Sequence, residues 1–536
     1  MDLPVLSVAS LDALFETSPR DTLERSVLPE FLCRQRWFSS KARPIDVARL
    51  IDGGPLEPPR TPYMAIVEIR FHDGGLDRYA LPLYVLSPDA AARLLETRPG
   101  AAIAWLDHAD GRLLVDAMAD DDACRALLAS IGEQREYRLM EGAVLTVRDV
   151  PPQANEHDDA QRVTRSGAEQ SNSSVIFGRT AILKLYRRLE PGPHPELELG
   201  RYLREDGFTD VPAVLGSMEY VRGTESSALG VLHAVVPNAT DGWDHALAHL
   251  SRYYPRVVHR PPDDAQALCP AGHLVQASRR PIAAEARSMI GEYLDAARTL
   301  GTQTAHLHLT LARGTENGLV PEPLNPSDIS RVVDSTRARL RRALSQLAAR
   351  RQTFTPHASE RAGALLAHEC RMSELLDRLS ATAINATRTR VHQDYHLGQL
   401  LWTGRRYVLL DFEGEPLRPL VERRAKRSPL TDVAGMLRSY SYAAWSGLFA
   451  WSRAHNVDSS GAEAWASLWE TAVAVTFLGN YLEATRGASF IPGDVDQLVA
   501  LLELLMLDKG VYELEYELNN RPDWVLVPVE GLLRLL

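Results

Sequence analysis

Two histidines, four carboxylates and two glutamines fall within VHQDYHLGQLLWTGRRYVLLDFEGE, positions 391–415. Three chemistries are open to such a set. His392 and His396 could ligate zinc if a third soft donor joined them. Glu413 and Glu415 could act as a glycosidase carboxylate pair. Asp394, Gln399 and Asp411 could handle a phosphoryl group, with hard oxygen donors for Mg²⁺. No third ligand accompanies the histidines convincingly, and alternate residues of one loop make a weak carboxylate pair.

Spacing favours the phosphoryl reading. Gln399 follows Asp394 by five residues, the separation of the base and the amide metal ligand in a kinase catalytic loop. After a second strand, YVLL, Asp411 opens DFEGEP, where kinase-like folds place a metal-bridging aspartate. His396 reads as a group that orients the loop and His392 as a buried structural histidine.

Such residues need a phosphate cover, a lysine and a carboxylate to hold it. Lys184 alternates with apolar neighbours in TAILKLY. A lone strand lysine is usually an edge residue facing water, but the helix candidate PHPELELGRYL follows. Its Glu196 or Glu198 could fix the lysine on the nucleotide phosphates. Upstream, RSGAEQSNSSVIFG lacks the G-x-G-x-x-G pattern and offers Ser171, Asn172, Ser173 and Ser174 as a polar turn around phosphate. GRT between Phe177 and Ala181 predicts a tight hairpin turn. Val235 and Val236, in VLHAVVPNATDGW, stand where an adenine-binding hinge would lie.

The chain has 536 residues, more than one compact domain normally holds. Strand-like runs such as YMAIVEIRF, broken by Gly/Pro-rich turns, fill residues 1–125, and further strands fill 126–240. From 241 to 536 helices dominate, with Ser327 expected to cap one and Ser428–Pro429 to open another. The proline-rich stretches 256–283 and 313–327 read as loops. A strand-rich unit followed by a helical one suggests two lobes about a cleft. A net charge of −11 argues against nucleic-acid binding, and the run RPLVERRAKR is the densest candidate for a local phosphate-binding patch, or else a solvated loop. The four cysteines are dispersed, which predicts reduced thiols in a cytoplasmic protein. The N-terminal residues lack the pattern of a secretion signal, and no run approaches the ~18 apolar residues of a membrane span.

EQSNSSVIFG, ILKLYRRLEPGPHPELE, HQDYHLGQLL, DFEGEPLRPLVERRAKRSPLTDVAGMLRSYSYAA and LDKGVYELEYELNNRPDW together resemble bacterial maltokinase, an aminoglycoside-phosphotransferase-type, eukaryotic-like kinase. QRWFSSKAR resembles the cap region of that family. The resemblance implies an α+β, two-lobed protein-kinase-like fold with an N-terminal cap subdomain. It implies ATP-dependent phosphorylation of maltose at its anomeric hydroxyl, the product feeding α-glucan synthesis and the maltose coming from trehalose through trehalose synthase, a possible partner. Asp394 is then the base, Gln399 and Asp411 the Mg²⁺ ligands, and Lys184 with Glu198 the nucleotide grip. Asp432 resembles the kinase helix aspartate that braces the catalytic loop. Lys509, Tyr512 and Tyr516 share one helix face suited to a disaccharide, with His392, His396, Glu413, Lys426 and Arg438 as further contacts to sugar or phosphate. The chain departs from the family at Gln393, where glycine is usual, so a positive φ there would add strain. Rival readings are a kinase for another sugar or an aminoglycoside, and a non-catalytic partner of trehalose synthase.

Overall fold

The computed structural model describes residues 3–8, 11–15, 17–56, 62–106, 111–149, 162–165, 171–316, 318–415, 418–456 and 460–536. They form two compact units: Met1–Arg204 with Pro212–Pro237 and Arg418–Leu420, and Glu205–Val211 with Asn238–Leu417 and Val421–Leu536.

The first unit carries two seven-stranded sheets. In one, the order is Val5–Leu6, Ala102–Leu106, Arg112–Asp116, Leu76–Leu86, Tyr63–Phe71 and Ile45–Pro55, and Arg188–Leu189 also pairs with Leu76–Leu86. The run YMAIVEIRF is apolar on both faces because both are covered. Tyr63, Ala65, Val67 and Ile69 pack with Leu14, Phe31 and Phe38. Met64 and Ile66 pack the other way, with Leu127, Phe177 and Leu183.

The second sheet is antiparallel throughout. Its strands β1 (Asn172–Phe177), β2 (Ala181–Tyr186) and β3 (Glu225–Ala234) matter most for function. Phe177 pairs with Ala181 across the GRT turn, where Gly178 has φ +54°. β2 lies between β1 and β3, so Lys184 occupies an interior strand and not an edge. Helix α1 (Pro195–Glu205) follows.

The second unit is mainly helical. α2 (Tyr293–Leu311), α3 (Leu430–His455), α4 (Glu463–Ala484) and α5 (Val495–Asn520) are its principal helices for the site. A hairpin of β4 (Leu400–Trp402) and β5 (Tyr407–Leu409) is set among them, with Thr240–Asp241 along β4. The detached piece Glu205–Val211 supports this hairpin. Leu409 N donates to Asp210 O at 2.8 Å, and Arg406 Nη1 lies 2.7 Å from Asp210 Oδ1.

Two sequence expectations change here. The stretch 256–283 is not all loop, since it contains helices Pro262–Leu268 and Leu274–Ala277. Pro262 at the first helical position and Asp263 and Asp264 behind it supply the start signals. The long helix Pro326–Arg350 is capped by Asn325, not Ser327, through a capping box with Asp328.

Candidate active site

In the first unit, Lys184 is buried and its Nζ lies 3.2 Å from Glu196 Oε2. Glu196, not the expected Glu198, makes this pair. Glu198 sits two residues further along α1, so it turns away from the face Glu196 presents. Tyr186 Oη donates to the same Glu196 oxygen at 2.6 Å, and His233 Nε2 lies 3.0 Å from the other. Burial alone would raise the Glu196 pKa, but Lys184, His233 and Tyr186 together hold it well below the usual range. The lysine is therefore fixed by an ionised carboxylate whose oxygens are both engaged.

The polar cover differs from the sequence reading. Asn172 and Ser173 belong to β1 and not to a turn, and Ser171 directly precedes the strand. Alternation along a strand sends neighbouring side chains to opposite faces, so they cannot act as one cradle. Ser173 Oγ accepts from Arg187 Nε at 2.8 Å. The preceding residues 166–170 lie outside the described residues. Val235 and Val236 follow β3 directly, and Val235 N donates to Thr180 O at 3.0 Å.

In the second unit the catalytic stretch is fastened from several sides. Asp432, in the first turn of α3, is buried and accepts from His392 N at 2.8 Å and Gln393 N at 2.9 Å. His308 Nε2 of α2 lies 3.1 Å from the same carboxylate. Leu397 N donates to Ser439 Oγ at 3.0 Å. Gly435 allows α3 to come this close, since a Cβ there would meet Tyr395 O at 2.7 Å.

Gln393 has φ +70° and Asp411 φ +62°. The left-handed region costs a non-glycine residue about 1–2 kcal/mol. At Gln393 the structure offsets that cost, because Nε2 donates to Arg423 O at 2.7 Å and Ala425 O at 3.0 Å. Glycine could make neither bond. Arg423 in turn donates from Nη1 to Glu413 O at 3.2 Å, so the basic run is a strap across the Asp411 turn and not a solvated loop.

Asp394 is partly exposed, with His396 Nε2 3.7 Å from Oδ2. Burial pushes its pKa up, but His396, Lys509 and His392 outweigh this and leave it far below the usual carboxylate range. His396 also caps the short turn Leu397–Gln399, its Nδ1 accepting from Gly398 N at 3.1 Å. Gln399 and Asp411 meet across the hairpin: Leu410 N donates to Gln399 O at 2.9 Å, and Gln399 Nε2 to Asp411 Oδ2 at 3.2 Å. Carboxylate and amide oxygens are the donors Mg²⁺ prefers, and turning the Gln399 amide over would bring its oxygen beside the Asp411 carboxylate.

Lys509 on α5 lies within electrostatic reach of Asp394. Burial lowers its pKa, but the charges of Asp394, Glu513 and Glu415 raise it more, so it stays an ammonium. Its Nζ stands 5.1 Å from the Tyr512 ring centroid. Tyr512 and Tyr516 stack with centroids 6.4 Å apart, and Tyr516 is exposed beside Arg521.

Four expected substrate contacts have partners within the fold. His392 is buried with Nε2 2.7 Å from Leu410 O, which fixes the residue before Asp411. Glu413 is buried beside Arg423. Arg438 is buried, and its Nε donates to Glu513 Oε2 at 2.7 Å. Lys426 pairs with Glu322. Each charge is spent within the fold, which composition cannot reveal. Sequence reasoning missed Arg423, His308 and the Gln393 side-chain bonds. Only the arginine-rich run offered a signal for the first.

A family model described as the maltokinase N-terminal cap domain matches residues 31–120. Residues 31–120 are thus similar to a maltokinase cap. The chain is 29% identical over 376 residues to a glucosamine kinase of Streptacidiphilus jiangxiensis, covering 69% of the chain and 72% of the relative. A glucosamine kinase of Mycolicibacterium smegmatis is 25% identical over 455 residues, covering 83% and 95%. The fold matches a solved glucosamine kinase in complex with glucosamine, ADP and inorganic phosphate, with TM-score 0.60, 23% identity and coverage of 95% and 99%. A second crystal form of a glucosamine kinase gives TM-score 0.61 at 24% identity, covering 95% and 98%. The chain thus has the mixed α+β fold of these solved structures, and its residues 31–120 match the cap model.

Proposed function

We propose that the chain transfers the γ-phosphoryl of ATP to the anomeric hydroxyl of maltose, giving maltose 1-phosphate and ADP. The carrying observation is the ionised Asp394 beside Lys509, with Gln399 and Asp411 as an oxygen-donor pair on the adjoining hairpin. Asp394 orients the sugar hydroxyl and takes its proton as the new O–P bond forms. A base of such low pKa removes that proton late, which suits a loose phosphoryl transition state. Lys184, held by Glu196, addresses the nucleotide phosphates. Mg²⁺ at Gln399 and Asp411 would supply charge neutralisation on the phosphates. Lys509 contributes hydrogen-bond donors to sugar hydroxyls, and Tyr512 an apolar face.

The names of the relatives favour a second reading, glucosamine as acceptor. The ammonium of Lys509 beside Asp394 argues for a neutral sugar, because a second cation would be repelled there. Supply of maltose by trehalose synthase, use of the product in α-glucan synthesis and a cytoplasmic setting belong to the same proposal. The four cysteines are free, and no helix among the described residues is long and apolar enough to cross a membrane. ³¹P NMR of reactions with ATP, Mg²⁺ and either sugar tests the reading. An anomeric phosphate from maltose is expected, and phosphorylation of glucosamine alone would replace maltose with the second acceptor.

A further inference from the structure

The QRWF motif at residues 35–38 has no part in the chemistry above, yet it builds a pocket in the first unit. Gln35 Nε2 donates to Gly100 O at 2.9 Å, tying the motif to the turn that carries Arg98. Trp37 is buried, with the Arg187 guanidinium 4.5 Å from its ring centroid. Arg187 itself is 1% exposed, and its Nη2 donates to Asp116 Oδ2 at 2.6 Å. Trp37, Asp116 and Ser173 line a pocket of about 540 Å³, so three groups that contact Arg187 form part of its wall. Met118 and Val175 add apolar surface, and Arg36, Arg98 and Arg165 add charge.

The charges do not balance. Arg165 is matched by Asp121 and Arg187 by Asp116. Arg36 and Arg98 are exposed, and among the described residues no carboxylate pairs with either. Arg187 Nη1 is buried with no acceptor among the described residues, where buried donors are nearly always satisfied. An excess of guanidinium on a chain of net charge −11 is suited to a phosphate group, which arginine binds in bidentate fashion. The volume and apolar wall also admit the body of a small ester.

We propose that this pocket is a second binding site, taking a phosphate monoester with its phosphate on Arg36 and Arg98 and its body against Trp37, Met118 and Val175. A sugar phosphate and a nucleotide share that chemistry. The pocket touches β1, which pairs with the strand of Lys184, so occupancy bears on the segment that carries the lysine.

The test labels arginines of the whole protein with phenylglyoxal and reads each site by mass spectrometry. Glucose 1-phosphate, AMP and inorganic phosphate are the probes, with chloride at equal ionic strength as control. Protection of Arg36 and Arg98 by roughly fivefold or more is expected, as for arginines engaged in charge-assisted bonds, with exposed Arg371 unprotected. Protection by glucose 1-phosphate or by AMP identifies the ester class. Equal labelling of Arg36, Arg98 and Arg371 with every probe overturns the proposal. Calorimetry with the Arg36→Ala/Arg98→Ala double variant gives a second reading. Both positions are exposed, so the variant is expected to fold and to lose about tenfold in affinity for the protecting probe. Wild-type affinity in that variant also overturns it.

Discussion

Lys184 and Lys509 both meet carboxylates, and they do so differently. Lys184 touches Glu196 at 3.2 Å in a buried cluster where Tyr186 and His233 occupy the remaining oxygen positions. Lys509 feels the charge of Asp394, yet Asp394 is partly exposed, with His396 at 3.7 Å as its near neighbour. The first carboxylate is saturated and serves to fix a cation. The second is kept ionised but under-occupied, which leaves lone pairs for a substrate hydroxyl. A positioning carboxylate and a reacting one can thus be told apart by how many protein donors they already hold.

Breaking the under-occupied member has the largest effect. Asp394→Ala is expected to lower turnover by about 10³-fold, within the usual range for a general base, while calorimetry shows nucleotide affinity little changed. Retained turnover would remove Asp394 from the proposed role. Glu196→Ala leaves Lys184 unpaired in the interior, and losing one partner of a buried pair costs about 3–5 kcal/mol. Thermal unfolding should show that loss, together with weaker nucleotide binding. Lys509→Met is smaller: about tenfold in kcat/KM for the sugar, the scale of one lost hydrogen bond to a charged group. Nucleotide affinity should hold, because the contrast assigns this lysine to the acceptor side.

A pH titration separates both sites from the core. Asp394 remains ionised throughout the mildly acidic range, so it sets no acid limb of activity. His249 is buried, and burial pushes its pKa down to about 4, against the favourable bond to Ile290 O. Trp469 Nε1 donates to its Nδ1 at 3.2 Å, which requires that nitrogen unprotonated. With the folded pKa below the unfolded value, this stabilisation is complete above pH ~6.5 and falls away as pH drops toward 4. Denaturant unfolding across that window should show up to about 3 kcal/mol lost, and less in His249→Phe. The smallest change is Gln393→Gly. Relief of about 1–2 kcal/mol of left-handed strain opposes the loss of two bonds to carbonyls, so the denaturation midpoint should barely move. A severalfold fall in kcat is expected as the strap at 423–425 loosens, read by steady-state assay.

The hairpin was legible because its chemistry is local. Asp394, Gln399 and Asp411 are placed by one loop and two short strands, and the Leu410–Gln399 backbone bond follows from that register. Gln393 was legible too: its departure from glycine predicted strain, and φ is +70°. What strain alone could not say is that the side chain repays it through Arg423 and Ala425. Glu196 against Glu198 turned on helix phase, which a start at Pro195 decides and composition does not. The surroundings of Arg438, Lys426 and Glu413 were illegible for a common reason. A sequence shows a charge but not its counter-charge, and their partners Glu513, Glu322 and Arg423 are set by tertiary packing.

The piece Glu205–Val211 has a practical consequence. The main crossing between units falls at Pro237–Asn238, which looks like a natural place to divide the gene. A fragment beginning at Asn238 would hold the catalytic loop, the hairpin and α5. It would lack Asp210, whose carbonyl receives Leu409 N and whose carboxylate meets Arg406. The edge of β5 would then carry an unmet donor beside Asp411. The second unit of this protein is not a contiguous stretch of its gene, and complementation from two halves would have to return those seven residues to their place.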